Sequence, residues 1–396
     1  MAPAALSKLP EGPACALPAA HGDSHGKLAH PGLQKRAERL PTLAARGGSR
    51  GVEANAALVE RGGPSVATVT HAGSPGTGTC AGSPGTVTRD SAADAQFAHY
   101  AVTALIDEAQ LTPKPALVDR RGSGAHRDLD LATMLRSAHA LEPTFAALAR
   151  AARRRGEPSA LLRTELAQIG RAGEQHMLRA TGGSNAHRGA IWIVGLLVAG
   201  TAVDACASVS ALGCAVIPAL SSAAGNAKRP IARRICTRAA QIACFPDRFA
   251  APSDSHGERA RQRYRVGGAR REAQDGFPHV IDVGLPALHT ARARGIGENA
   301  ARVDTLLAIM ASLDDTCLLH RAGLPGLHAG QNGARRVLDA GGSSTPAGRT
   351  ALAALEHELL SLNASPGGAA DLLAATLFLD MLAPHDAGRS PDSWNI

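Results

Sequence analysis

Apolar residues recur at helical spacing along most of this chain. Phe97, Ala101, Ala104, Leu105 and Ala109 form one stripe, and Leu162, Leu166, Ile169, Gly173, Met177 and Ala180 form a second. Val303, Leu306, Leu307, Met310 and Leu313 make a third, Leu352, Leu355, Leu359 and Leu362 a fourth, and residues 372 to 382 a fifth. Intervals of three and four put such residues on one face of an α-helix, whereas a half-buried strand alternates with a period of two. Strand-like alternation is nearly absent. The pattern predicts an all-α fold, a single large multi-helix domain. Thr112-Pro113-Lys114-Pro115 ends the first helix, because proline disfavours helical geometry in the residue before it. Arg153-Arg154-Arg155-Gly156 reads as a solvated helix end. The Arg-rich stretch from Pro246 to Gly268, with Pro252 and Gly257 inside it, reads as a long loop.

The stripes begin near Phe97. Residues 1–94 are rich in Ala, Gly, Pro and Ser, and repeat Ala-Gly-Ser-Pro-Gly-Thr at 72–77 and 81–86. Such low-complexity sequence buries too little apolar surface to offset its chain entropy. It is expected to be disordered, which leaves 95–396 as the folded domain. His21, His25 and His30 read as solvated residues of that coil, with a metal site as the other reading. The net charge of +8 and the excess of Arg suit a polyanionic partner. Aromatic residues make up only 3%, too few for the base-stacking platforms of single-strand nucleic-acid binders. A small phosphorylated ligand fits better than a nucleic acid.

The seven cysteines form no C-x-x-C pair, and the N-terminus lacks a signal-peptide pattern. Thiols packed on helices in a reducing, cytoplasmic compartment are expected. From Gly189 to Ala227 the only charged residue is Asp204. A spanning helix needs about 20 predominantly apolar residues. Asp204, Gly213 and Pro218 interrupt the stretch, so buried helices of a large domain are expected rather than a membrane span.

Five polar constellations break the helical pattern. In Thr181–Gly189, the loop residues Gly182, Gly183, Asn185, His187 and Arg188 precede an apolar helix start. Glycines let backbone N–H groups approach phosphate oxygens, and a helix N-terminus favours anions. Lys114 and Asp119 are followed by His126, Asp128 and Asp130. Two loop carboxylates at i, i+2 suit a hard cation such as Mg²⁺, and His126 suits proton transfer; the competing reading makes one Asp a helix cap. Glu174 lies just before the glycine loop, as a solvated edge residue or a functional one. Arg270 and Arg271 suit phosphate clamping and Glu272 suits metal or base work, against a helix-start charge pattern. Asp314 and Asp315, followed by His320 and Arg321, place two carboxylates at a helix end, where a C-terminal dipole would disfavour them without a cation. Ser365-Pro366-Gly367-Gly368 reads as an N-cap with Pro at the first helical position, and as a close backbone approach to an anion.

These segments, in this order and spacing over about residues 97 to 384, resemble the triphosphoribosyl-dephospho-coenzyme A synthase family. The carrying motifs are Pro113-Lys114-Pro115-Ala116-Leu117-Val118-Asp119, Ser123-Gly124-Ala125-His126-Arg127-Asp128-Leu129-Asp130 and Thr181-Gly182-Gly183-Ser184-Asn185-Ala186-His187-Arg188-Gly189. Arg270-Arg271-Glu272-Ala273, Asp315-Thr316 with Arg321, and Ser365-Pro366-Gly367-Gly368-Ala369-Ala370-Asp371-Leu372-Leu373 complete them. His187–Trp192 and Leu313–Arg321 look like the malonate decarboxylase-associated branch. Ala116 and Ala322 stand where the family has glycine, Ala186 where it has threonine and Arg271 where it has glycine; Ala116 would be strained if its position needs a positive φ.

The resemblance implies a transferase. The 2′-hydroxyl of 3′-dephospho-coenzyme A attacks the anomeric carbon of the ATP ribose, adenine leaves, and the triphosphate stays on the product, which passes to a holo-acyl-carrier-protein synthesis enzyme. The α-linked family product makes a single inverting displacement the simplest scheme. On that basis Asp128, Asp130, Glu272 and Asp315 are candidate Mg²⁺ ligands, with Asp128 and Glu272 also candidate bases. His126 or Glu174 would donate a proton. Gly182, Gly183, Asn185, His187 and Arg188 would hold the triphosphate, assisted by Lys114, Arg270 and Arg321. Ser365, Gly367 and Gly368 would cap a second anion. Two rival readings remain: a metal-dependent hydrolase of a nucleotide or ADP-ribose-type substrate, and a non-catalytic helical interaction protein.

Overall fold

The computed structural model describes residues 84–212, 224–250 and 255–382. Among these residues every regular element is helical. The chain runs through α1 (Pro84–Gln110), α2 (Leu131–Ala140), α3 (Glu142–Arg155), α4 (Ala160–Ala180), α5 (Arg188–Leu212) and α6 (Ala224–Cys244). Two short helices follow, α7 (His256–Tyr264) and α8 (Gly268–Gln274), then a π-helical segment at His279–Gly284. α9 (Leu285–Ala293), α10 (Glu298–Met310), α11 (Thr316–Asp339), α12 (Pro346–Ser361) and α13 (Gly367–Leu382) complete the chain, and all these helices fall in one compact unit. Residues 1–83, with His21, His25 and His30, lie outside the described residues, as do Gly213, Cys214, Pro218 and Pro252.

Two boundaries differ from the sequence expectation. α1 starts at Pro84, within the segment expected to lack structure. Asp94 explains the extension: it is buried and pairs with Arg153 of α3 at 2.8 Å, anchoring this part of α1. The stretch expected as a long loop contains α7. Ser255 caps it by accepting the Glu258 N–H at 3.2 Å, and Glu258 pairs with Arg261 one turn on. α3 stops at Arg155, as read, and Gly156 takes the left-handed conformation at φ 71°; Arg154 and Arg155 are solvated, whereas Arg153 turns inward to Asp94.

α5 is the centre of the packing, against α1, α3, α6 and α13. Its first part, Arg188–Ala207, is long and apolar enough to cross a membrane, and 78% of this stretch is buried inside the fold. Gly200 permits a close crossing with α6: a Cβ there would lie 2.7 Å from the Ile235 carbonyl oxygen. Asp204, the only charge of this stretch after Arg188, pairs with Arg234 of α6 at 3.0 Å. α13 is similarly apolar and carries two charges, Asp371 and Asp380.

The packing brings four helix N-termini together. Trp192, on the first turns of α5, donates its Nε1–H to Ala269 O at the start of α8 (3.1 Å). A Cβ on Gly268 would lie 3.2 Å from Thr316 Cγ2 at the start of α11. Asp315, just before α11, accepts the Ala369 N–H of α13 (2.9 Å). A Cβ on Gly189 in α5 would fall 1.9 Å from Asp371 Oδ2 of α13. Positive dipole ends from α5, α8, α11 and α13 thus border one region.

Candidate active site

The loop between α1 and α2 is folded around Lys114. Its ammonium is almost fully buried and donates to Glu108 Oε1 and to the Glu108 carbonyl oxygen, both at 2.6 Å. Asp119 accepts the Lys114 backbone N–H (2.9 Å) and pairs with Arg121, which reaches on to Glu356 of α12. Ala125 N–H closes the loop on Ala116 O at 3.0 Å. Ala116 holds φ 56° in the core, so alanine here carries the strain that a glycine would avoid, on the order of 1–2 kcal/mol. Lys114 was expected at a triphosphate; the structure places its charge on Glu108 instead.

This loop delivers His126 to the start of α13. Arg321 of α11 donates to His126 Nδ1 (3.1 Å) and to Ala125 O (3.1 Å). Arginine only donates, so Nδ1 accepts, and Nε2–H donates to Ser365 Oγ at 2.9 Å. Burial, and then the cations Arg321 and Lys114, push the imidazole pKa down to about 4, against an opposing pull from Asp128. A neutral His126 is a poor proton donor at pH 7, which departs from the role expected for it.

The glycine-rich loop does a local job and a longer-range one. Thr181 Oγ1–H donates to Ser184 O (2.6 Å), and Gly182 and Gly183 take φ 67° and 101°. Asn185 Oδ1 accepts the Arg188 N–H at the start of α5 (3.2 Å). The turn directs His187 inward, where its Nδ1 meets Ser137 Oγ of α2 at 2.7 Å. Its Nε2 is buried and has no hydrogen-bond partner. Burial and then Lys114 lower the His187 pKa to about 4. Arg188 stays exposed and pairs with Glu174, so that carboxylate is held as an ion-pair partner.

Asp315 is a buried double cap. Its carboxylate accepts N–H groups of Cys317 (2.7 Å) and Leu318 on its own helix, and of Ala369 and Gly368 on α13. The sequence suggested a helix C-terminus needing a cation; the carboxylate instead sits at two N-termini, where the dipoles favour it. Gly368 and Gly367 allow that approach, since Cβ atoms there would lie 2.9 Å from Asp315 Oδ1 and 3.1 Å from Cys317 Sγ. The Gly368 N–H therefore faces an internal carboxylate rather than a second anion. Ser365 was expected as the α13 cap, but its hydroxyl is turned to His126 and the helix begins at Gly367.

The expected metal ligands are dispersed in role. Asp130 caps α2 through the Thr133 N–H (2.7 Å), and Glu272 accepts His279 N–H and Nδ1–H at 2.9 and 2.8 Å. Asp315 is enclosed by backbone donors, which leaves the exposed Asp128 free of such duties. Among the described residues, no three His, Cys, Asp or Glu side chains group at metal-binding spacing. The donor set therefore does not fit a four-carboxylate Mg²⁺ centre. Arg270 is exposed, next in sequence to the Ala269 carbonyl that Trp192 binds, while Arg271 pairs with Asp275 at the surface (2.6 Å).

Three contributors were given no role by the sequence reading, although Asp371 stands in one of its motifs. Glu108 is the buried partner of Lys114. Asp371 lies with Glu108 and Asp315 close enough that burial and then their charges hold its carboxyl well above the usual range. Arg163 stacks over Trp192 at 4.8 Å in a pocket of about 210 Å³, floored by Leu148, Leu166 and Ile191. Two of the three left a mark in the sequence. Glu108 sits on the apolar stripe of α1, and Asp371 interrupts a nearly uncharged helix.

Comparison with known proteins covers the same part of the chain. The model of the ATP:dephospho-CoA triphosphoribosyl transferase family (CitG) matches residues 94–390. A protein of Azotobacter vinelandii named "Probable 2-(5''-triphosphoribosyl)-3'-dephosphocoenzyme-A synthase" is 55% identical over 299 residues, 75% of this chain and 94% of the relative. Relatives of the same name from Pseudomonas aeruginosa and Stutzerimonas stutzeri are 54% and 55% identical over 291 and 295 residues, covering 74% of this chain in both cases and 92% and 93% of theirs. No solved structure matches the chain significantly.

Proposed function

Because the chain belongs to the ATP:dephospho-CoA triphosphoribosyl transferase family, we propose a division of labour among its residues for that reaction. The activity is transfer of the triphosphoribosyl group of ATP to 3′-dephospho-coenzyme A with loss of adenine, giving the prosthetic-group precursor 2-(5''-triphosphoribosyl)-3'-dephospho-coenzyme A. The observation that carries the division of labour is the joining of the α1–α2 loop to α11 and α13 through Arg321, His126 and Ser365.

In this reading Arg321, with the exposed Arg188 and Arg270, holds the triphosphate at the shared N-termini of α5, α8, α11 and α13. A polyanion gains there from fixed donors that need no reorganisation. His126 and Ser365 position Arg321 and shape the floor. Asp128, exposed beside His126, accepts the proton of the attacking 2′-hydroxyl. Gly182, Gly183 and Asn185 act through the turn that seats His187 and opens α5. Mg²⁺ would enter with the nucleotide as its counter-ion and offset triphosphate charge, with the exposed Asp128 as the carboxylate free to hold it.

The finer assignments follow the sequence motifs. His187–Trp192 and Leu313–Arg321 support the malonate decarboxylase-associated branch and, with it, a product delivered to a holo-acyl-carrier-protein synthesis enzyme, while cysteines without a C-x-x-C pair support a reducing, cytoplasmic setting. Mass spectrometry of a reaction containing ATP and dephospho-coenzyme A tests the activity. One adenine should appear per coupled product, and none from ATP alone. Adenine or phosphate released without the acceptor would favour a hydrolase and contradict this reading.

A further inference from the structure

Three carboxylates meet near the first turn of α13, and two of them are fully engaged. Glu108 of α1 holds the Lys114 ammonium, and Asp315 takes N–H groups from two helices. Asp371 makes no hydrogen bond and has no cation of its own. Cys317 is its other ionisable neighbour on the α11 side, and α5 meets it with the backbone of Gly189. Arg292 and His289 gather at Asp380, nine residues farther along α13. Any side chain at position 189 would collide with Asp371 Oδ2, so glycine keeps the carboxyl and the α5 N-terminus in contact. Two residues earlier, buried His187 Nε2 also lacks a partner. Buried polar groups are nearly always satisfied, so the orphaned His187 Nε2 and the half-buried, unpartnered Asp371 carboxyl at one helix start point to a ligand that supplies a partner.

We propose that Asp371 is the acid that protonates the departing adenine. This rests on the transferase reaction described above. The 2′-hydroxyl oxygen bonds to the anomeric carbon while the carbon–nitrogen bond breaks with its electron pair on the purine. Asp371 gives its proton to a purine ring nitrogen, and the hydroxyl proton goes to Asp128. Solvent then returns a proton to Asp371 and takes one from Asp128. Burial and the Glu108 and Asp315 charges, which favour the protonated carboxyl, suit that resting state.

The test uses two donors, ATP and N7-methylated ATP, whose methylated base departs neutral without taking a proton. With ATP, Asp371→Asn should lower turnover by about 10²–10⁴-fold, with KM values held within about threefold. With the methylated donor the deficit should shrink below about tenfold. In the unaltered enzyme, turnover of ATP should fall as pH rises and Asp371 loses its proton, and turnover of the methylated donor should lack that limb. This second measurement needs no folded variant. Equal deficits on both donors, an identical alkaline limb on both, or normal ATP turnover by the variant would overturn the assignment. If the unaltered enzyme makes no coupled product from ATP, the transferase reading itself fails and the proposal with it.

Discussion

Asp371 and Asp380 lie on one helix, nine residues apart, and have opposite environments. Asp380 accepts His289 Nε2–H at 3.0 Å and Arg292 at 2.7 Å; Arg292 also binds Glu298, which binds Arg302, which reaches Asp107 of α1. Burial alone would raise the Asp380 pKa, but these donors overcome it and bring it to about 2. Asp371 meets burial and two further carboxylates, and its pKa moves the other way. A carboxylate that fastens helices is surrounded by cations. One that handles a proton is left among acids. Burial is common to both, so the partner set separates a structural Asp from a chemical one.

The largest expected effect comes from dismantling the structural end. Asp380→Ala should lower the unfolding free energy by ~3–5 kcal/mol in urea titration, because Arg292 and His289 lose their buried partner, while turnover per folded molecule stays unchanged. A large loss of turnover in the folded variant would break the contrast. Arg321→Ala acts at the other end. Turnover should drop by about 10²–10³-fold, with unfolding changed far less than in Asp380→Ala.

Acid sharpens the comparison, because the two groups carry opposite signs. The folded-state pKa of Asp380 is depressed, so its stabilisation is present above the unfolded value of 3.8 and is lost as pH falls toward about 2. The loss is on the order of 2 kcal/mol and should be missing in Asp380→Asn. The raised pKa of Asp371 means its ionisation destabilises the fold as pH climbs above the ordinary carboxylate range. Asp371→Asn should therefore be the more stable protein at pH 8 by differential scanning calorimetry. The smallest effect belongs to Asp130→Ala, which removes a helix cap: about 1 kcal/mol of stability with activity intact. A collapse of activity there would return Asp130 to the chemistry.

Period-based reading finds the helices because their apolar faces are written locally. Leu352, Leu355 and Leu359 are buried as their spacing requires, and the Thr112–Pro115 stop falls just after Gln110. The missed α7 shows the limit: nine largely charged residues give no apolar stripe, and a serine cap with one ion pair suffices when Ala260 finds a core to enter. Chemistry is harder to read, because partners are chosen across the fold. His126 meets Arg321 and Ser365 from 195 and 239 residues away. Nothing near Asp315 in sequence announces that its carboxylate caps α13, and nothing near Lys114 tells that it turns back to Glu108. Glu108 and Asp371 did leave a local trace, each a charge on an otherwise apolar helical face. The family motifs mark segments that the fold brings together around the starts of α5, α8, α11 and α13, while the contacts of each side chain within them depend on packing.

The most direct measurement sets the two aspartates side by side. Asp371→Asn and Asp380→Asn would be assayed for adenine release from ATP in the presence of dephospho-coenzyme A, and for thermal unfolding of the same samples. The account predicts a crossed result: Asp371→Asn unfolds at or above the native temperature and releases almost no adenine, whereas Asp380→Asn unfolds lower and keeps its turnover while folded. The reverse pairing, or full adenine release by Asp371→Asn, would contradict it.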